Sequence, residues 1–174
     1  TAEVGLGYQD VEDPSIFVRF PLRDPQALGL PDEASLLVWT TTPWTLPGNT
    51  GAAVHPDLDY VAVRQGSAVL VLAECRLQAV LGGEEGLEVV QRFKGSELLG
   101  AHYQAPYGWF DFAGKDGHRV VPGDFVTTED GSGIVHLAPA FGADDMELGR
   151  RTDLPVVHSV RPDGTFREEA GFLA

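Results

Sequence analysis

The chain has 174 residues, enough for one domain with a substantial core. Its 43% hydrophobic and 9% aromatic content excludes a disordered tail. No apolar run approaches the ~18 residues that a membrane-spanning helix needs. Against 12 Lys and Arg stand 26 Asp and Glu, a formal charge of −14 that excludes a stand-alone nucleic-acid binder with a basic face. Any nucleic acid this chain acts on must be held mainly by something else, or touched only at one end.

The N-terminus, Thr1-Ala2-Glu3, has neither an initiator Met nor a charged-then-apolar leader, so the chain is expected to be a piece of a longer protein. The single cysteine, Cys75, excludes an intrachain disulfide and fits a reducing, cytoplasmic setting. It reads as a small core or helix residue.

In chain order, the first strand expected is Ile16 to Phe20 and the second Ser35 to Thr40. Tyr60 to Val63 and Ala68 to Leu72 flank Gln65-Gly66-Ser67 and predict a hairpin. Glu74 to Leu81 predicts a short helix stopped by Gly82-Gly83. A strand over Leu87 to Phe93 follows, then one helical turn over Ser96 to Leu99 ended by Gly100. Further strands are expected at Arg119 to Val121, Gly133 to Leu137 and Pro155 to Val160, all rich in β-branched residues. Ala143 to Arg151 is the best helix, with Asp144 and Asp145 in its first turn and Arg150 and Arg151 in its last, matching the helix dipole at both ends. Many short strands with few helices predict an α+β domain built on a β-barrel-like core. The whole chain, 1–174, is read as a single domain, with 1–13 and 161–174 as arms.

Two segments carry candidate chemistry. In Trp39-Thr40-Thr41-Thr42-Pro43-Trp44-Thr45-Leu46-Pro47-Gly48-Asn49 a strand runs into a turn forced by Pro43 and then by Pro47-Gly48. That turn gathers hydroxyls and an indole at a strand end, where threonine on its stiff stem positions water or a carbonyl without adding charge. The same residues also suit a strand end that merely closes a core. In the second segment, Gly131 to Asp145, a turn feeds a strand, a Pro-containing loop and the acidic start of a helix. His136 and Asp145 flank that loop and are expected to face one pocket. A strand histidine can equally be structural, and an acid at a helix start can be a cap, a role that suits Asp144 better than Asp145. A metal site drafted from His136, Asp144, Asp145 and His158 lacks HxH or HxxxH spacing. There is no GxSxG elbow for a Ser–His–Asp triad, and Gly131-Ser132-Gly133 lacks the length and Lys of a phosphate loop.

The strings WTTTPWTLPGN and GSGIVHLAPAFGADD, in this order, resemble the paired signatures of the editing domain inserted into class I isoleucyl-, valyl- and leucyl-tRNA synthetases. AAVHPDLDY, LPVVHSVRPDG and the opening GYQDVEDPSIFVRF extend the resemblance over nearly the whole chain. Valine enzymes typically read TTRPET and carry Lys in place of His136, and leucine enzymes typically read TTRPDT. Thr42 and Trp44 replace the Arg and the acid of both, which points to the isoleucine branch.

The resemblance implies the β-barrel-like fold of these editing domains and a hydrolytic activity. A site that selects isoleucine cannot exclude the smaller valine sterically. One methylene is worth only ~1–3 kcal/mol, a limit for which isoleucine enzymes are themselves the standard illustration. A second site must therefore admit valine, shut out isoleucine and hydrolyse what enters. By resemblance, Asp145 anchors the α-ammonium, and His136 with the threonine loop forms the excluding wall. Thr40, Thr41 and Thr42 are the candidates to position water and stabilise the oxyanion. Trp44, Thr45, Ala138, Pro139, Phe141 and Asp144 are the expected substrate contacts, with Trp44 walling the pocket or stacking on the terminal adenosine. The implied partners are the 3′ end of tRNA(Ile) carrying valine, valyl-adenylate, and the remaining domains of a monomeric parent enzyme. No metal or cofactor is expected in this domain; the parent uses ATP and magnesium, and can carry zinc elsewhere. The competing readings are a module that binds aminoacyl ends without hydrolysis, and a purely structural insertion with no open pocket at the threonine loop.

Overall fold

The computed structural model describes residues 14–82 and 85–173, so the proposed arm 1–13 and Gly83 of the helix stop lie outside the described residues. Among the described residues, eight strands form one mixed sheet: β1 (Ile16–Pro21), β2 (Ala34–Thr40), β3 (Gly51–Val54), β4 (Asp59–Gln65), β5 (Ala68–Ala73), β6 (Glu88–Lys94), β7 (Arg119–Pro122) and β8 (Ile134–Leu137). The order is β6-β4-β5-β2-β8-β3-β7, with β1 also paired to β2. β4 and β5 make the expected antiparallel hairpin around Gly66-Ser67. The short α-helices α1 (Leu77–Leu81), α2 (Gly95–Leu98) and α3 (Ala143–Arg151) lie at the periphery.

The sheet curls because one face of all its strands serves one core. Phe20, Leu36, Val38, Ala52, Val54, Tyr60, Ala62, Val71, Phe93, Val120 and Ile134 belong to a single buried cluster. A flat sheet could not bring those residues together, so the architecture is a half-barrel of α+β type. Two smaller clusters cover the outer face. Leu37, Val61, Val63, Leu70 and Leu72 pack under α1 through Leu81, while Ala53, Val121 and Leu137 pack against Leu148 of α3 and Leu154. Among the described residues no helix is long and apolar enough to cross a membrane.

The structure departs from the sequence expectations in three places. β3 was not anticipated: Gly-Ala-Ala-Val has only one β-branched residue, because both its faces are buried and admit only small side chains. Pro155 to Val160 is not a strand; apart from an isolated bridge from Val160 to Phe166 it runs without a ladder partner. Its alternation is real, with Val157 and Ser159 buried, but it reports a covered chain rather than a paired one. Cys75 sits in a short helical turn yet is exposed, so it is not a core residue. Within the span read as the C-terminal arm, Arg167 N–H donates to Ser159 O and Ala170 is fully buried.

Candidate active site

The pocket lies where β2 and β8 end side by side. These strands are parallel neighbours, with Trp39 opposite Val135, so both motifs reach the same end of the sheet. β3 pairs antiparallel with the other side of β8 and sets His136 opposite Ala52. After Thr40 the chain turns at once. Thr42 N–H donates to Thr40 Oγ1 at 3.0 Å, and Pro43 then opens a 3-10 turn over Pro43–Gly48, where its fixed φ and missing N–H are well suited. Thr45 closes the turn by donating both its N–H (2.9 Å) and its hydroxyl (2.8 Å) to Thr42 O.

His136 is 4% exposed and held at both ring nitrogens. Nε2 lies 2.9 Å from Thr45 Oγ1, and Nδ1 lies 2.8 Å from Asn49 Nδ2. Burial pulls its pKa down from 6.5 to about 4, so the ring is neutral at physiological pH. Asp145 enters from the first turn of α3. Its Oδ2 accepts the Ala138 N–H at 2.9 Å, which ties the helix start to the loop after β8. Burial raises the Asp145 carboxyl above its ordinary range, the Ala138 N–H opposes that rise, and Asp144 nearby adds to it.

Together these groups line a cavity of about 360 Å³: Trp39, Thr40, Thr41, Thr42, Trp44, Thr45, Val135, His136, Phe141, Gly142 and Asp145. The sequence-predicted Thr40, Thr41, Thr42, Trp44, Thr45, His136, Phe141 and Asp145 are therefore brought together. Ala138, Pro139 and Asp144 are not. Ala138 is buried behind the pocket and meets Asp145 through its backbone, and Pro139 packs beside Gly149 of α3. Asp144 is exposed in a separate hollow with Phe125 and Arg151. It is not a cap either: the cap position is Gly142, without a side-chain hydrogen bond. Successive helix residues point about 100° apart, so only one of the two acids can face the pocket.

Trp39, Val135 and Gly142 line the cavity without having been singled out, although all three sit inside the two motifs. Asn49, at the end of the first motif, is the more instructive omission. It is buried and contacts His136 from 87 positions away, a link no local pattern reveals.

A larger groove of about 910 Å³ lies by Arg161 and Arg167, but it is more open and its charges pair with one another, Arg161 with Glu168 and Arg167 with Glu169. The smaller cavity, with convergent hydroxyls and one carboxylate, is the better chemical site. Among the described residues no group of three or more His, Cys, Asp or Glu is placed to hold a metal ion. His158 lines the larger groove, apart from His136.

No family model matches the chain. It is 53% identical over 167 residues to an isoleucine–tRNA ligase of Thermobifida fusca, covering 95% of this chain and 15% of that one. It is 50% identical over 162 residues to an isoleucine–tRNA ligase of Thermus thermophilus, covering 93% and 15%. The chain thus spans about 15% of the length of the curated relatives it matches. Among solved structures it is similar to GlLeuRS-CP1, with a TM-score of 0.65 at 22% identity over 79% of this chain and 59% of that one. It is also similar to the editing domain of a Plasmodium knowlesi cytosolic leucyl-tRNA synthetase ("P.knowlesi"), with a TM-score of 0.62 at 16% identity over 80% and 64%. By sequence the chain is a homologue of one segment of isoleucine–tRNA ligases, and its fold is that of leucyl-tRNA synthetase editing domains.

Proposed function

We propose that this chain is the editing domain of an isoleucine–tRNA ligase and hydrolyses valine wrongly joined to tRNA(Ile) or to adenylate. The observation that supports this most is one small cavity holding threonine hydroxyls, a neutral buried imidazole and a single carboxylate. An aminoacyl ester is already activated, so its hydrolysis needs no protein nucleophile. It needs an anchor, a water and a stabilised oxyanion.

Asp145 is the anchor. A carboxyl whose pKa is raised by burial gains most when a cation arrives, and the α-ammonium of the amino acid is that cation. Thr41 and Thr42 position the water. Thr45 is occupied by His136 and Thr42 O, whereas the exposed Thr41 hydroxyl has no protein partner among the described residues. His136 does not act as a base. Asn49 takes its Nδ1 lone pair and Thr45 takes its Nε2–H, so its work is to stand as a rigid wall. Trp44 (57% exposed) and Phe141 (41% exposed) flank the mouth and offer faces for the terminal adenosine.

The charge of −14 is tolerable because only the 3′ end enters, while other domains of the parent ligase grip the tRNA body in the cytoplasm. No cofactor is needed in this domain; ATP and magnesium serve the parent's synthetic site. Titration with a non-hydrolysable valyl-adenosine analogue and its isoleucyl counterpart tests the reading. The valyl analogue is expected to bind with shifts at Thr41, His136 and Asp145, and the isoleucyl one to bind far more weakly. Equal binding of both, or binding of the valyl analogue by a protein that leaves Val-tRNA(Ile) intact, would overturn it.

A further inference from the structure

Behind the pocket wall lies a layer of side chains that touches no part of the cavity. Tyr103 is fully buried, stacked on Phe20 at a centroid distance of 4.8 Å, and its hydroxyl donates to Asn49 Oδ1 at 2.7 Å. On the other side of the same residue, His118 Nε2–H donates to the Asn49 backbone carbonyl at 3.1 Å. We propose that Tyr103 is a positioning residue of the site: it fixes the Asn49 amide, which fixes the tautomer of His136, which in turn holds the threonine turn in place.

Each step follows from donor and acceptor types. Asn49 Nδ2 faces Gly51 O at 2.9 Å and, more distantly, Leu137 O at 3.3 Å, and the Tyr103 donor at the opposite end completes the set that keeps the NH₂ on this side, one proton toward Gly51 O and one toward His136. Its Oδ1 then points into a buried space where an acceptor without a donor is costly, and the Tyr103 hydroxyl is the donor that reaches it. With NH₂ toward the ring, His136 Nδ1 must accept, and the proton therefore sits on Nε2. Nε2–H donates to Thr45 Oγ1, which leaves the Thr45 proton free to hold Thr42 O at 2.8 Å. In the opposite tautomer, Nδ1–H would face an N–H donor. Thr45 would have to turn its proton to Nε2 and release Thr42 O, loosening the turn that presents Thr41 and Thr42. Burial of Tyr103 holds its pKa well above 10, so the hydroxyl remains a donor throughout the working pH range.

This inference rests on the editing reading only for its kinetic arm. Nitrogen-15 histidine spectra of the chain read the tautomer directly: His136 is expected to carry its proton on Nε2, and Tyr103→Phe to mix the two tautomers. In the parent ligase, Tyr103→Phe is expected to lower kcat for Val-tRNA(Ile) hydrolysis by roughly 10- to 100-fold, with KM little changed, as misplacement of a reacting group does. Incorporation of 3-fluorotyrosine, which keeps the ring and strengthens the donor, supplies a second variant should the phenylalanine protein fail to fold; it is expected to displace the His136 Nδ1 signal while keeping the Nε2–H form. A proton on Nδ1 in the wild type would overturn the proposal, as would a Tyr103→Phe protein with wild-type His136 signals and kcat, or fluorotyrosine without effect on His136. If the wild type shows the expected tautomer response yet hydrolyses no valyl ester, the editing reading fails and the positioning role stands.

Discussion

Asp145 Oδ2 accepts the backbone N–H of Ala138 at 2.9 Å, while Asp144, one residue earlier on the same helix, is exposed in a different hollow. Two adjacent acids therefore have separable roles. Asp145→Ala is expected to abolish valyl-ester hydrolysis, and Asp144→Ala to leave it within a few-fold of wild type. Loss of a carboxylate from a desolvated ammonium costs ~2–5 kcal/mol in binding. Losing the acceptor for Ala138 N–H also costs ~1–3 kcal/mol of stability, so Asp145→Asn, which keeps an acceptor and drops the charge, separates anchoring from folding. Hydrolysis assays and denaturation midpoints on the three variants check this. Retained activity in Asp145→Asn would remove the charge from the mechanism.

The two buried imidazoles make stability fall in mild acid. His136 and His118 both have their pKa lowered by burial from 6.5 to about 4. Between those values the unfolded chain takes up protons that the folded chain refuses, so stability is full above about pH 6.5 and is lost as the pH drops toward about 4. The His136 share is about 3 kcal/mol on the scale of ~1.4 kcal/mol per pKa unit. Urea denaturation across this window measures the slope, and His136→Gln is expected to reduce it by about one proton.

Gly131 joins the two motifs physically. Its φ is +67°, and a Cβ there would lie 2.6 Å from the Trp39 ring that lines the pocket. Gly131→Ala is expected to cost about 2–4 kcal/mol, combining left-handed strain with overpacking. Gly66→Ala, with φ +59° but open space around it, should cost about 1 kcal/mol, from strain alone. Thermal unfolding of both variants, with tryptophan fluorescence as the probe of the Trp39 wall, checks the difference.

How much of this was readable in advance depended on the range of each interaction. β2, the β4–β5 hairpin and α3 follow local alternation, turn residues and terminal charges, and they lie where those signals put them. β3 escaped because a strand buried on both faces by close neighbours is made of Gly and Ala, which carry no strand signal. Val156 and Val157 misled because alternation reports burial and not pairing. The eight expected residues that line the pocket follow the ends of adjacent strands or lie on the helix facing them. Ala138 and Pro139 share the motif because they set the loop's path behind the pocket. The Tyr103–Asn49–His136 link spans three distant segments and depends on donor orientation, which only the fold displays.

Under the proposed function, the charge also predicts how the chain meets tRNA. With −14 and only 12 Lys and Arg, the isolated chain opposes a phosphate backbone over most of its surface. Filter binding at moderate salt is expected to give a Kd for whole tRNA(Ile) weaker than about 1 µM, the range of non-specific contact. Tighter binding would require a basic tract that the composition does not offer.

Under the proposed function, the pocket is hydrolytic and its His136 wall admits valine and rejects isoleucine. The most direct test is parallel deacylation of Val-tRNA(Ile) and Ile-tRNA(Ile) by the parent ligase, wild type and His136→Ala. The wild type is predicted to cleave only the valyl ester. Removing the imidazole opens space for one more methylene, ordinarily worth ~1–3 kcal/mol by fit alone; Asp145 and the Thr41 and Thr42 hydroxyls remain, and the turn keeps the Thr45–Thr42 O bond but loses its His136 support. The variant is therefore predicted to begin cleaving Ile-tRNA(Ile) while keeping part of its activity on Val-tRNA(Ile). Wild-type cleavage of both esters, or a folded His136→Ala enzyme that loses valyl hydrolysis and still rejects isoleucine, would contradict the account.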